Sequence, residues 1–383
     1  MTRPVTILTH EFFPRRGGAA TYVEEMAAAL ARAGREVEVW APEDPALASR
    51  AWPFAVHAID VRGTQDWGDR VRLARRLEAA RDRLAGRILY LPEAGPQRTW
   101  LYYQLRRRQS PGPLVLTLHG TEIKRFCAMA HRRALFRRLL DRADRIGVVS
   151  RYVRGLLLER FPEMEPRTVL AYAGIRRLPA ANGRGAANGS SGSTTPPGGE
   201  GRRCVLLTVA RIHPRKGQSA VVEALARLPR AQRELFEYRV VGPTVDAAYL
   251  QEMTGLAQAA RVKLRVDGPL DDDALEQAYR DADVFVMTSE DLDDSIEGLG
   301  LVYLDAAARG LPVVAHDVGG VSEAVSHGVT GLVVPPWNRD ALAAALLELA
   351  EDEVSRREFG RAGRLRASGY SWDDTASTLF AGI

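Results

Sequence analysis

From Val5 onward the chain alternates short β-branched runs with longer Ala/Leu/Arg-rich or amphipathic stretches, and it does so twice. The two halves are separated by RRLPAANGRGAANGSSGSTTPPGGEGRR, Arg176 to Arg203. Such alternation is the signature of parallel strands joined by crossover helices. In the first half VTIL, EVEVW, FAVHAI, RILYL, LVLTL and IGVVS read as strands; in the second half CVLLTVA, YRVVG, VKLRV, VFVM, PVVA and GLVV do. The Gly/Ser/Thr/Pro/Asn-rich segment between them has no apolar periodicity and cannot build a packed core, so it reads as an exposed linker or loop. The 383 residues are enough for two domains. The expectation is an α/β protein of two doubly wound domains, residues 1–175 and 204–368, joined by a linker at 176–203. Ligands of such sheets bind outside the carboxyl ends of the strands, so the cleft between two facing domains is the first place to seek a site.

Several classes are disfavoured. The first residues, MTRPVTILTH, enter a strand-like run without the charged and apolar regions of a secretory leader, and no apolar run approaches the roughly 20 residues of a spanning helix. Cys127 and Cys204 stand far apart, outside any metal-ligand or CxxC spacing, and read as reduced thiols of a cytoplasmic protein. Charge is uneven: residues 1–200 carry net +13 and residues 201–383 net −8. The basic half could suggest nucleic acid, but the interleaved aromatic platforms of such proteins are missing from its sequence. Only Lys124, Lys216 and Lys263 are lysine among 53 basic residues, so a lysine here is informative.

The strand ends carry the candidate chemistry. After the first strand, Gly17 and Gly18 open an Ala/Leu-rich helix, where backbone amides and the helix dipole favour an anion. The pair is not GxGxxG, and taken alone it also suits a tight βα turn. The fifth strand ends in TLHGTE, which sets His119 at the carboxyl edge of the sheet, able to donate to a substrate hydroxyl or a developing charge. In LLTVARIHPRKGQSAVVEAL, Arg211, His213, Arg215 and Lys216 crowd the loop before a helix starting near Gln218. Arginine forks onto two phosphate oxygens and lysine adds a point charge. In IEGLGLVYLDAAARG, Glu297 precedes a helix opened by Gly298, Leu299 and Gly300 and closed near Arg309, and Asp305 lies inside it. If every step were helical, the acids would be roughly 12 Å apart on one side. That is too wide for a glycosidase pair. It suits two hydroxyl-bearing groups joined by something anionic, as in a sugar and a ribose linked by a diphosphate.

Taken together, FFPRRGGAATYV, LHGTE, VARIHPRKG, VVGP, SIEGLGLVYLDAAARGLPVVAHDVGG and GVTGLVVPP resemble the retaining family 4 glycosyltransferases over nearly the whole chain. The resemblance implies the GT-B architecture, two Rossmann-like domains facing across a cleft, with residues 369–383 returning toward the N-terminal, acceptor-side domain. It implies transfer of a sugar from a nucleotide diphosphate donor to an acceptor hydroxyl with retention, in glycan, glycolipid or polysaccharide synthesis, without a metal or other cofactor. Arg211 and Lys216 would hold the diphosphate, Glu297 the transferred sugar and Asp305 the ribose. The amides of Gly17, Gly18, Leu299 and Gly300 would approach the diphosphate or sugar, with His119 near the reacting centre. The family usually has Glu in place of Asp305 and often Phe in place of Leu299, which bears on ribose binding rather than on fold.

Asp291 and Asp293 in EDLDD have the spacing of a metal-binding pair but read as an acidic loop, because a cationic clamp already serves the diphosphate. A sugar phosphorylase or nucleotide-sugar epimerase is the alternative enzyme, and a basic nucleic-acid-binding protein the alternative class. The stretches HRRALFRRLLDRADRI and RVRLARRLEAARDRLAGR are amphipathic and basic. They suit ordinary domain helices; a sharper reading is peripheral contact with anionic lipid at the cytoplasmic membrane face, bringing the site to a lipid-linked acceptor. The nucleotide, sugar, acceptor and oligomeric state are not written in any motif.

Overall fold

A computed structural model describes residues 2–15, 17–61, 67–106, 111–176, 202–291 and 295–383. Most of the linker read at 176–203, and Asp293, lie outside the described residues. The chain forms two compact units: Met1–Gly174 with Asp293–Leu299 and Tyr370–Ile383, and Ile175–Leu292 with Gly300–Gly369.

The first unit is built on a wholly parallel seven-stranded sheet in the order β3-β2-β1-β4-β5-β6-β7. Its strands are β1 Val5–Leu8, β2 Val37–Pro42, β3 Ala55–Ile59, β4 Ile88–Leu91, β5 Leu114–Leu118, β6 Arg145–Val148 and β7 Thr168–Leu170. Every residue of β1, β2, β4 and β5 is buried, as expected of parallel strands covered on both faces. The edge strand β7 is one the alternation did not disclose; three residues are too few to show a period. Arg145, grouped above with the preceding helix, is the first residue of β6, because that helix ends at Leu140 and Asp144 turns the chain with its carboxylate on the Leu114 amide at 2.8 Å.

Helix Gly18–Arg32 is fixed by Tyr22, which is fully buried, stacks edge-on to His119 at 4.9 Å and belongs to a hydroxyl cluster with Tyr90 and Thr117. The C-terminal helix Trp372–Phe380 packs on the same helix, where Trp372 meets Tyr22 at 5.0 Å and Asp373 pairs with Arg32 at 2.6 Å, and on β4, where Phe380 meets Tyr90 at 5.3 Å. Each such aromatic removes roughly 150–250 Å² from water, so the β1 and β5 ends rest on a rigid support.

The second unit carries a parallel six-stranded sheet in the order β10-β9-β8-β11-β12-β13. Its strands are β8 Cys204–Val209, β9 Phe236–Val241, β10 Leu264–Gly268, β11 Val284–Met287, β12 Val313–His316 and β13 Gly331–Val334. All six fall where the β-branched runs lie. The core is aliphatic, with Val221, Leu225, Val240, Val286, Leu342 and Leu346 among its buried members. Each sheet reverses its strand order once, between β1 and β4 in the first and between β8 and β11 in the second. At such a switch point the flanking crossovers lie on opposite faces and leave a crevice at the carboxyl ends.

Candidate functional site

In the second unit the loop after β8 sits at the switch point. Pro214–Lys216 forms a single 3-10 turn, Gly217 takes φ 67°, and helix Gln218–Arg227 follows. A Cβ on Gly217 would lie 1.9 Å from the Thr288 carbonyl oxygen, so only glycine lets this loop lie against the end of β11. The Thr288 hydroxyl donates to the Gly217 carbonyl at 2.7 Å, and the Glu290 amide to that of Arg215 at 2.9 Å. Arg211, exposed, and Lys216, half-buried, therefore stand on a pinned loop at the crevice. His213 is not part of the positive charge: burial and the neighbouring Arg211 and Arg215 lower its pKa, and its Nδ1 accepts from the Arg215 amide at 3.1 Å. It is a neutral turn cap, and the charge comes from Arg211, Arg215 and Lys216.

Helix Leu301–Ala308 begins after Gly300, whose φ is 83°, and no side chain caps it. Its first amides are thus left to whatever approaches its N-terminus. The acids do not have the continuous helical spacing considered above, because Glu297 lies four residues before the first helical residue. Asp305 is already engaged: it accepts from the Arg176 amide at 3.1 Å, and the Arg176 side chain pairs with Asp272 at 3.0 Å. Burial raises the Asp305 pKa, opposed by Arg309 and by the Arg176 amide.

In the first unit, the segment carrying Glu297 runs along the ends of β5 and β6. Gly298 is held by the Ser150 hydroxyl, which donates to its carbonyl at 2.6 Å, and a Cβ there would stand 2.1 Å from the His119 carbonyl oxygen. Glu297 and Leu299 are both buried. The fold thus brings Glu297 beside His119, two positions 178 apart in sequence. The His119 Nε2 lies 2.9 Å from the Pro92 carbonyl, which requires the proton on Nε2. A neutral His119 then offers Nδ1 as an acceptor, for a hydroxyl that donates to it, rather than as the donor its position first suggested.

Gly17 and Gly18 give the most informative contrast. Gly17 has φ 167°, an extended conformation open to any residue, and a Cβ there would find only an ordinary contact 3.9 Å away. Gly18 is the first helical residue, and nothing lies within 4 Å of its missing Cβ. Neither glycine is required by the fold. Absent side chains at an uncapped helix N-terminus are what close approach of an anion needs.

Sequence reasoning passed over other groups at these edges. His10 and Glu93 lie two residues beyond the ends of β1 and β4, Glu290 lies three beyond β11, and His316 is the last residue of β12, with Arg339 bonded to Glu290 and Glu223. The available signal was a polar residue at the end of an apolar strand or within three positions of it. Among the described residues no group of three or more His, Cys, Asp or Glu side chains could hold a metal ion.

Comparison with known proteins now decides the family. A model of Glycosyltransferase Family 4 matches residues 16–176, and one of glycosyl transferases group 1 matches residues 197–366. The chain is 30% identical over 375 residues to a GDP-mannose-dependent alpha-(1-6)-phosphatidylinositol monomannoside mannosyltransferase of Mycolicibacterium smegmatis, covering 94% of this chain and 92% of that protein. The chain is a family 4 glycosyltransferase. This glycosyltransferase is also 37% identical to a D-inositol 3-phosphate glycosyltransferase of Kribbella flavida, over 46% of this chain and 42% of that protein. The solved sucrose-phosphate synthase of Thermosynechococcus elongatus superposes with a TM-score of 0.78 at 23% identity, covering 98% of this chain and 96% of that one. The glycosyltransferase thus has the GT-B fold, with the two parallel-sheet Rossmann-like units described above.

Proposed function

We propose that this glycosyltransferase moves a hexosyl group, in the first instance mannose from GDP-mannose, onto an acceptor hydroxyl with retention of anomeric configuration. The observation that carries the reading is the similarity, over almost the full length, to a GDP-mannose-dependent mannosyltransferase. In the second unit Arg211 and Lys216 hold the diphosphate and Asp305 the ribose; Gly300 opens the helix whose amides face the leaving group. In the first unit Gly17 and Gly18 leave amides open to the donor, Glu297 and Leu299 meet the transferred sugar, and His119 accepts from one of its hydroxyls. Guanidinium, ammonium and amide groups stabilise the charge that grows on the leaving diphosphate, so no metal is needed for that task.

Nucleoside diphosphates test the donor assignment. GDP should raise the melting temperature more than UDP or ADP, by mass action on the folded state. Free GDP should be released from GDP-mannose only when an acceptor is present, which separates transfer from phosphorolysis or epimerisation. Arg211→Ala and Lys216→Ala should each lower donor affinity or turnover at least about ten-fold, the value of one charge-assisted hydrogen bond. Wild-type kinetics in both would remove the diphosphate from this loop.

The proposal includes work at an anionic membrane face. No helix of the described residues is long and apolar enough to cross a membrane. On helix Ala130–Leu140, Phe136, Leu139 and Leu140 are buried, whereas Arg132, Arg133, Arg137 and Arg138 are exposed. Its apolar face is used by the core, so contact would be electrostatic rather than insertional. Sedimentation with anionic vesicles at low salt, lost at high salt, is the expected result.

A further inference from the structure

Two arginines of the second unit stand at Asp305, yet among the described residues neither guanidinium group donates to its carboxylate. One is Arg176, the last described residue before the linker; the other is Arg309, which ends helix Leu301–Ala308. Helix Asp272–Asp281 takes both guanidinium groups instead: Asp272, in its first turn, pairs with Arg176 at 3.0 Å, and Glu276, one turn on, pairs with Arg309 at 2.7 Å. Arg309 also lies over the Tyr279 ring at 4.3 Å and donates from Nη1 to the Asp305 main-chain carbonyl at 2.8 Å. What reaches the Asp305 side chain is the main-chain amide of Arg176, which donates to Oδ1 at 3.1 Å. No other hydrogen bond to this carboxylate is present among the described residues.

The difference between an amide and a guanidinium group matters for what the acid can still do. An arginine forked onto a carboxylate occupies both oxygens, whereas a single amide uses one of about four lone-pair sites and leaves Oδ2 able to accept. The last torsion of an aspartate is broad and roughly two-fold, so an unbonded carboxylate turns freely about it. One donor on Oδ1 sets the plane of the group. That donor is itself held, because the Arg176 side chain is anchored on Asp272. Burial raises the Asp305 pKa; Arg309 and the amide and charge of Arg176 pull it back, against Glu276, so the amide also favours the ionised form that accepts.

We propose that Arg176 is a positioning residue for the donor ribose, acting through Asp305: its amide sets the plane of the carboxylate, its guanidinium group anchors that amide on Asp272, and Oδ2 is left to accept from a ribose hydroxyl. This role rests on the assignment of Asp305 to the ribose and adds the group that orients it. An acceptor fixed beforehand need not be ordered again each time the nucleotide binds. Arg176 therefore acts on the preference for a nucleotide that carries ribose hydroxyls, and not on the affinity for base and diphosphate.

Full-length protein is titrated calorimetrically with GDP and with 2′,3′-dideoxy-GDP, which keeps the base and the diphosphate and lacks both ribose hydroxyls. Wild type should bind GDP about ten-fold or more tighter, the value of one charge-assisted hydrogen bond, and Asp305→Ala should abolish that ratio. Arg176→Ala and Asp272→Ala should each lower the ratio about five-fold, within the cost of ordering one side chain on binding, while the dideoxy compound binds as it does to wild type. Arg176→Lys, whose ammonium group can still pair with Asp272, should restore most of the ratio. Arg227→Ala, which breaks an exposed ion pair with Asp340 in the same unit, should leave it unchanged. Failure of wild type to bind GDP would refute the donor reading. Equal binding of the two nucleotides, or a full ratio in Asp305→Ala, would refute the ribose assignment, and the role of Arg176 falls with either. If those results stand and Arg176→Ala keeps the wild-type ratio, or weakens both nucleotides alike, the positioning role alone is overturned. Asp272→Ala reads the same ion pair from its other end and decides the question if Arg176→Ala does not fold.

Discussion

Replacing Gly18 by alanine separates what the fold needs from what the reaction needs. Gly18 begins its helix with open space around the position a Cβ would take, so the methyl group meets no protein atom. Alanine in a helix interior is favoured over glycine by about 0.8–1 kcal/mol, and the first turn should realise half of that, about 0.5 kcal/mol. Stability should therefore hold or rise slightly in urea unfolding. Activity should fall, because the methyl group occupies the approach to an amide offered to the donor. Loss of one charge-assisted hydrogen bond is worth about 1.5–3 kcal/mol, or roughly ten- to a hundred-fold in kcat/KM for the donor. The assay is nucleoside diphosphate release at subsaturating donor, beside a denaturation curve on the same preparation. A variant with wild-type kcat/KM would refute the idea that an anion approaches Gly18, and one that unfolds readily would refute the open geometry itself.

Gly217→Ala should do the opposite on stability: a left-handed alanine costs about 1–2 kcal/mol, and opening the 1.9 Å approach to Thr288 adds loss of the hydrogen bond there, for about 2–4 kcal/mol in all by denaturant unfolding. Glu297→Gln should lower kcat with little change in donor KM, since its interaction grows as the bond breaks, whereas Asp305→Asn should raise donor KM and largely keep kcat. Steady-state kinetics showing the reverse pattern would exchange the two assignments; Asp305→Glu should be tolerated if Arg176 can yield its amide contact. Glu93 has a folded pKa of about 7, above its ordinary 4.5, so its contribution is full below about 4.5 and is lost as pH rises through 7, by about 3 kcal/mol. His10, lowered from 6.5 to about 4, has the opposite slope between those values. The stability of Glu93→Gln relative to wild type should therefore rise between pH 4.5 and 7 whatever its offset, and a pH-independent difference would show that Glu93 is ordinarily ionised.

The parallel strands, their order of appearance and the cationic loop after β8 were legible because they are local: strand burial shows as β-branched runs, and a helix start shows as glycine after a polar turn. His119, Arg211 and Lys216 could be singled out for the same reason, His119 standing immediately after β5 and the other two in the loop that follows β8. Three residues at an edge, as in β7, carry no period, and the sequence could not separate Arg145 from the helix before it because an amphipathic pattern runs on through a turn. Whether a glycine is demanded by its backbone, as Gly217 is, or left open, as Gly18 is, depends on atoms 71 positions away in the first case and on an absence of atoms in the second. Likewise Glu297 stands beside His119, the Arg176 amide meets Asp305, and His10 is buried over Gly95 against Glu93. Chain composition determines which segments become strands and helices, because those preferences act within a few residues. Which side chains share a crevice is decided by the order in which the strands pair, and that order depends on contacts between residues far apart in sequence.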